Sequence, residues 1–111
     1  MKNVTTTKKG SVIIMAIDGD IEFDDSIQLN ETFNTIIKKD SAKIVLDLKD
    51  CNYIDSSGLG ALVEGLKATQ KANGDLRLCH LNEDFQEILM MTRIIKYFQV
   101  FDSLDDAINS F

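Results

Sequence analysis

The stretch Asp55-Ser56-Ser57-Gly58-Leu59-Gly60 places a carboxylate, two hydroxyls and two glycines where the chain leaves one apolar run and enters another. Serine hydroxyls in such a place can either attack a substrate or accept a phosphoryl group. Attack requires a base within hydrogen-bond reach. The lone histidine, His80, falls at the end of a strand-like stretch with no evident route to either serine. Neither a GxSxG elbow nor a GxxxxGK[ST] phosphate loop occurs. The chain is therefore read as a binding protein rather than an enzyme. Phosphorylation asks less, since it needs only an accessible hydroxyl. At the first turn of a helix a phosphoserine carries about −1.5 to −2 charges to a position where the helix dipole and free N–H groups accept an anion. The modified domain need not unfold.

Asp55 has an ordinary explanation as the N-cap that satisfies the first free N–H groups of the helix. Gly58 and Gly60 do not, because each costs about 1 kcal/mol relative to alanine inside a helix. They imply close approach of another backbone, either a neighbouring strand or a docked partner. Upstream lies an acidic stretch, Asp18, Asp20, Glu22, Asp24 and Asp25, and the flanking loops carry Phe23 and Tyr53. Those aromatics either anchor a partner or pack on the following helix. A phosphate on Ser56, beside Asp55 and the acidic loop, would confront a docked partner with new negative charge and bulk. Like charges forced together at an interface can cost several kcal/mol, and about 1.4 kcal/mol is a tenfold loss of affinity.

These residues must be positioned by the elements around them. The run from Ser11 to Ile17 is apolar and β-branched and stops at Asp18-Gly19-Asp20, the pattern of a buried strand. Thr5 to Lys8 can pair with it as an edge strand through a turn at Gly10. Asp24, Asp25 and Ser26 offer N-caps to a helix whose Leu29, Phe33, Ile36 and Ile37 share one face. Lys43 to Leu48 reads as a central strand. Ser56 to Ala72 carries Leu59, Leu62, Val63 and Leu66 at helical spacing and closes at Asn73-Gly74. Leu76 to Leu81 is a further strand, and Asn82 can cap a helix with Phe85, Ile88 and Leu89 facing inward. Met90 and Met91 read as core filler rather than as a sulfur-rich docking face. Tyr97 to Phe101 reads as the last strand, and Ser103 with Asp106 fits a capping box ahead of Ala107, Ile108 and Phe111. Strands and helices that alternate after an initial hairpin give an α/β class: a mixed, mostly parallel sheet of about five strands with about four helices. In such sheets partners meet the loops at the carboxyl ends of the strands, here Asp18 to Asp25 and Lys49 to Ser56.

Composition narrows the function further. A chain of 111 residues fits one domain, residues 1–111. Its formal net charge of −6 argues against direct contact with nucleic acid. No apolar run approaches the roughly 20 residues that span a bilayer, and the first residues lack a signal-peptide pattern, so a cytoplasmic protein without membrane contact is expected. Cys51 and Cys79 are expected to be reduced structural thiols. His80 has no companion at ligand spacing, so no metal site is expected, and no cofactor motif is present.

The segment Ile54-Asp55-Ser56-Ser57-Gly58-Leu59-Gly60, preceded by the strand Ile44-Val45-Leu46-Asp47-Leu48, closely resembles the signature of STAS domains in bacterial anti-sigma factor antagonists. The resemblance runs from about Val4 to Ile108 and includes the Gly19-Asp20-Ile21-Glu22 turn. It implies a single STAS domain that binds an anti-sigma factor, itself an ATP-dependent serine kinase, and thereby releases a sigma factor. It implies that the serine following the aspartate, Ser56, is the phosphoacceptor, with Ser57 the lesser candidate, and that a metal-dependent serine phosphatase reverses the modification. By the same resemblance Asp55, Ser56, Ser57, Gly58, Leu59 and Gly60, with Asp20 and Glu22 of the turn, belong to the partner-binding face, to which the acidic loop adds Asp24 and the flanking loop the aromatic Tyr53, and the protein is a monomer. STAS domains also act in lipid-transport and stress-sensing assemblies, and that role stands as the alternative. Two departures are visible: Glu22 stands where many relatives have aspartate, and Arg93 occupies a position where relatives often place the glycine suited to a left-handed helix end.

Overall fold

Alternating apolar and β-branched residues build the sheet, and in the computed structural model, which describes residues 1–111, its strands follow that pattern closely. β1 (Asn3–Lys9) and β2 (Val12–Asp18) form an antiparallel hairpin around Gly10, whose φ of 63° a side chain would resist. α1 (Asp25–Lys39), β3 (Lys43–Asp50), α2 (Ser56–Lys71), β4 (Asp75–Cys79), α3 (Glu83–Met91), a 3-10 turn at Ile94–Tyr97, β5 (Val100–Phe101) and α4 (Leu104–Asn109) complete the chain. The sheet order is β1-β2-β3-β4-β5, and every pair after the first is parallel. The expected mixed five-stranded α/β architecture is therefore present, with β3 at its centre.

Side-chain alternation divides the sheet into two faces. Ile13, Met15 and Ile17 of β2, Ile44, Leu46 and Leu48 of β3, and Leu76 and Leu78 of β4 are buried on one face. Leu29 and Phe33 of α1, Leu59, Leu62 and Leu66 of α2, and Phe85 and Leu89 of α3 cover them. Val12, Val45 and Cys79 point the other way, where Ala107, Leu104 and Ile108 of α4 cover them. α1 and α2 approach closely because Gly65 lacks a side chain: a Cβ there would lie 2.6 Å from the Phe33 ring. Cys51 and Cys79 are free and buried. Burial pushes their thiols up to about 11 and about 12, with the Asp47 carboxylate adding to the effect at Cys79. No helix is long and apolar enough to cross a membrane.

Four local expectations are corrected. The third long strand stops at Cys79 rather than Leu81, because His80 adopts a left-handed φ of 58° and turns the chain. Tyr97 belongs to the 3-10 turn and only Val100–Phe101 pairs in the sheet, so the last strand is much shorter than Tyr97 to Phe101. Met90 and Met91 are exposed, the latter by 76 %, because Phe85 and Leu89 already occupy the inward stripe of α3. In α1, Asp24 holds the N-cap position without a side-chain cap, while Asp25 accepts a hydrogen bond from the Glu22 N–H at 2.9 Å. The other caps are as expected: Asn82 accepts from Phe85 N–H at 2.9 Å and Ser103 from Asp106 N–H at 3.1 Å. Arg93 takes a left-handed conformation, φ 62°, that glycine would suit, so the turn forms here with arginine in place.

These contacts set expected stabilities. Gly65→Ala forces the Phe33 ring aside and should lower stability by about 1–3 kcal/mol. Arg93→Gly relieves the left-handed backbone and should raise it by about 0.5–1 kcal/mol. Thermal unfolding of both variants checks the signs; a Gly65→Ala midpoint equal to that of the parent would show that α1 and α2 are not in the tight contact described.

Candidate functional site

The two loops at the carboxyl ends of β2 and β3 are joined by backbone hydrogen bonds. Gly19 N–H donates to Asp50 O at 3.0 Å, Ile21 N–H to Tyr53 O at 2.9 Å, and Asp55 N–H to Ile21 O at 3.0 Å. Ile21 and Ile54 thus form an isolated parallel bridge that continues the β2–β3 pairing past an irregularity between Ala16 and Asp18. Both side chains are buried. The first turn of α2 lies on them: a Cβ on Gly58 would come within 2.7 Å of Ile54 Cγ1 and 2.8 Å of Ile21 Cγ2. Close packing inside the domain therefore explains Gly58. It does not explain Gly60, whose missing Cβ would meet nothing within 4 Å.

Asp55 is the N-cap of α2, in extended backbone conformation, and its carboxylate holds both loops together. Oδ1 accepts from Gly58 N–H at 2.9 Å and from the Ser57 hydroxyl at 2.7 Å, and Oδ2 accepts from Phe23 N–H at 3.0 Å. The Gly58 N–H foremost, then the Ser57 hydroxyl and the Phe23 N–H, hold this carboxyl below its usual value of 3.8. Ser57 Oγ also lies 3.3 Å from Phe23 O. Phe23 is therefore held through its N–H, with the Ser57 hydroxyl proton spent on Asp55, in a left-handed conformation, φ 56°, that bulky residues avoid. Its ring is 79 % exposed.

The two serines differ in their bonding. Ser57 Oγ is engaged by Asp55 and Phe23, whereas the exposed Ser56 hydroxyl makes no hydrogen bond within the protein. The Ser56 and Ser57 N–H groups also find no backbone acceptor, as expected for the first turn of a helix. No histidine reaches either serine, since His80 Nδ1 lies 3.0 Å from Asp47 Oδ1 instead.

Of the residues singled out from sequence, Asp20, Asp24, Tyr53, Ser56, Ser57 and Gly60 are exposed, and Glu22 and Asp55 are half-buried. The joined loops and the first turns of α2 carry all of them on one end of the sheet. Gly58 and Leu59 are buried and offer a partner almost no surface, so they shape the face from beneath. Sequence reasoning missed Ile27, which is 61 % exposed one turn after Phe23. Its signal was an apolar residue lying off the Leu29–Phe33 stripe of α1. It also missed that Asp47 and Cys79 stand beside His80.

The Asp55 contacts carry a sign in pH. A carboxyl held below its ordinary range stabilises the fold above that range, and the contribution is lost as pH falls through its folded value. Asp55→Asn, which keeps one acceptor but loses the charge, should therefore lower the thermal midpoint at pH 7. The gap between variant and parent should begin to narrow below the ordinary value of 3.8, where the unfolded chain takes up the proton, and close as pH falls through the lower folded value. Midpoints that stay parallel from pH 7 to 3 would remove Asp55 as the ionised staple.

Comparison with known proteins places this arrangement. Residues 3–107 match the STAS domain family. The chain is 26 % identical over 98 residues to the anti-sigma F factor antagonist of Paenibacillus polymyxa, covering 87 % of this chain and 84 % of that one. The crystal structure of protein TM1081 from Thermotoga maritima superposes with a TM-score of 0.89 at 23 % identity, covering 96 % of this chain and 92 % of that chain. The Bacillus cell fate determinant SpoIIAA in its phosphorylated form superposes with a TM-score of 0.74 at 12 % identity, covering 97 % and 98 % of the two chains. With the family matched across nearly its whole length, and with a solved neighbour of the same fold, the chain belongs to the STAS domain family.

Proposed function

We propose that the protein is an anti-sigma factor antagonist, a binding switch set by phosphorylation of Ser56. Unmodified, it captures an anti-sigma factor that is also a serine kinase, and a sigma factor is released. Ser56 Oγ then attacks the γ-phosphorus of ATP in that kinase, ADP leaves, the hydroxyl proton passes to the kinase, and the complex separates. A serine phosphatase acting on phospho-Ser56 restores the binding form. The protein works in the cytoplasm as a monomer and controls transcription without touching nucleic acid. The name of the Paenibacillus relative supports this role.

The single observation that carries the proposal is the contrast between the serines: Ser56 presents a free, exposed hydroxyl at the first turn of α2, while Ser57 is tied to Asp55 and Phe23. A phosphate at Ser56 would meet the free Ser56 N–H and the positive end of the helix dipole, so the helix tolerates it. The partner would not. The face around Ser56 combines exposed Phe23, Ile27 and Tyr53 with acidic Asp20, Glu22 and Asp24, which fits a partner surface that is apolar with a basic rim. Gly60, on the same helix face as Ser56 one turn further on, leaves bare backbone for a close approach.

The test uses the partner itself. Affinity capture with the Ser56→Ala form from the native cell should recover an anti-sigma kinase. With ATP, that kinase should add one phosphate to the parent protein, placed on Ser56 by mass spectrometry, and none to Ser56→Ala. Phosphorylation should weaken the complex at least about 100-fold, the equivalent of about 2.7 kcal/mol, and Ser56→Asp should weaken it at least about tenfold. A phosphate found on Ser57 alone, or a complex equally tight in both states, would refute the proposal; indifference to charge is what a STAS module of a transport assembly would show.

A further inference from the structure

β3 and β4 run parallel with Asp47 opposite Cys79, so the two side chains emerge together on the sheet face that carries α4. His80 follows with its left-handed φ of 58°, and its imidazole returns over the strand pair. Nδ1 lies 3.0 Å from Asp47 Oδ1 and 4.0 Å from Cys79 Sγ, and the three ligand atoms all fall within 4.8 Å of one another. Both contacts use the same ring nitrogen. A proton relay from thiol to carboxylate would need one imidazole nitrogen for each, so this is not a Cys-His-Asp catalytic chain. It is an oxygen, a nitrogen and a sulfur grouped around one small volume.

We propose that Asp47, Cys79 and His80 bind a single zinc ion. Zinc holds thiolate sulfur at about 2.3 Å, imidazole nitrogen at about 2.0–2.1 Å and carboxylate oxygen at about 2.0–2.2 Å, which sets tetrahedral neighbours about 3.4–3.6 Å apart. The His80 separations of 3.0 and 4.0 Å bracket that spacing and the third pair lies within 4.8 Å, so movements of about an ångström complete the site. A thiolate, an imidazole and a carboxylate suit zinc better than magnesium or calcium, which prefer oxygen alone. Charge balances too: thiolate and carboxylate together neutralise the dication in a place where an unpaired charge would be costly. The Cys79 thiol gives its proton to solvent on binding, and the neutral imidazole moves its N–H from Nδ1 to Nε2. Cys79 is buried, but His80 and Asp47 keep 30 % and 17 % of their side chains exposed, so the ion enters from the solvent side.

Metal-free protein titrated with zinc alone, by calorimetry and by competition with a chromogenic chelator, should bind one equivalent and release about one proton. Cobalt in place of zinc should give a thiolate-to-metal charge-transfer band that disappears in Cys79→Ala and persists in Cys51→Ala. His80→Gly suits the left-handed backbone and should stay folded by circular dichroism. It should nevertheless lose more than the roughly 10–100-fold in zinc affinity that removal of an outer-shell partner costs. Failure of the parent to bind equimolar zinc, or binding that survives His80→Gly without a thiolate band, would overturn the site and leave an Asp–His hydrogen bond beside a packed thiol. If Cys79→Ala does not fold, the His80→Gly result decides.

Discussion

The Asp55 carboxylate is the interaction on which the functional end of this molecule depends. It accepts from Gly58 N–H, from Ser57 and from Phe23 N–H, so one side chain caps α2 and fixes the loop that leads into α1. That loop needs fixing. Phe23 sits in a left-handed conformation that costs a bulky residue about 1–2 kcal/mol and leaves its ring in water. Neither feature would persist in a free loop. The Ile21–Ile54 bridge beneath and the carboxylate above hold it in place. Backbone strain maintained together with an exposed aromatic is what the proposed docking surface requires.

Neighbouring residues in the signature segment divide between inward and outward use, and helix geometry dictates the division. Ser57 turns back to the preceding loop and Gly58 sits on Ile21 and Ile54, so these two serve the fold. Ser56 and Gly60, four residues apart and so one above the other on the helix, face solvent. Two chemically identical hydroxyls and two identical glycines thus acquire different roles from their place in a 3.6-residue turn. A motif read as a string treats them alike.

The elements were legible where the pattern was long and unambiguous: α1 and α2 show helical stripes, β2 and β3 are short β-branched apolar runs bounded by turn residues, and Asp55, Asn82 and Ser103 cap the helices where their side-chain chemistry places them. What sequence hid has physical causes. Tyr97 to Phe101 is apolar enough for a strand, but only two residues find a pairing partner on β4. Met90 and Met91 follow two residues that already fill the inward stripe of α3, and hydrophobicity does not reveal that the stripe is full. Arg93 shows the converse: the tertiary fold imposes a left-handed turn on a residue that does not favour it. The grouping of Asp47 with Cys79 and His80 depends on the parallel register of β3 and β4, which no linear spacing encodes.

Why a switch at this position can act on binding without refolding the domain follows from which N–H groups are already taken. Asp55 occupies Gly58 N–H, and Leu59 N–H has begun the helical ladder on Asp55 O. The Ser56 N–H remains, and with the positive end of the helix dipole it is what a phosphate on Ser56 can use. The helix therefore gains partners for its new anion, which offsets the repulsion from Asp55, and its packing on Ile21 and Ile54 has no reason to change. A docked partner gains nothing of the kind. It would have to desolvate a dianion set among Asp20, Glu22, Asp24 and Asp55, on a surface that already presents negative charge. Under the proposed function the same charge is thus tolerated by the fold and rejected by the interface, and that difference would let one covalent bond decide between two complexes.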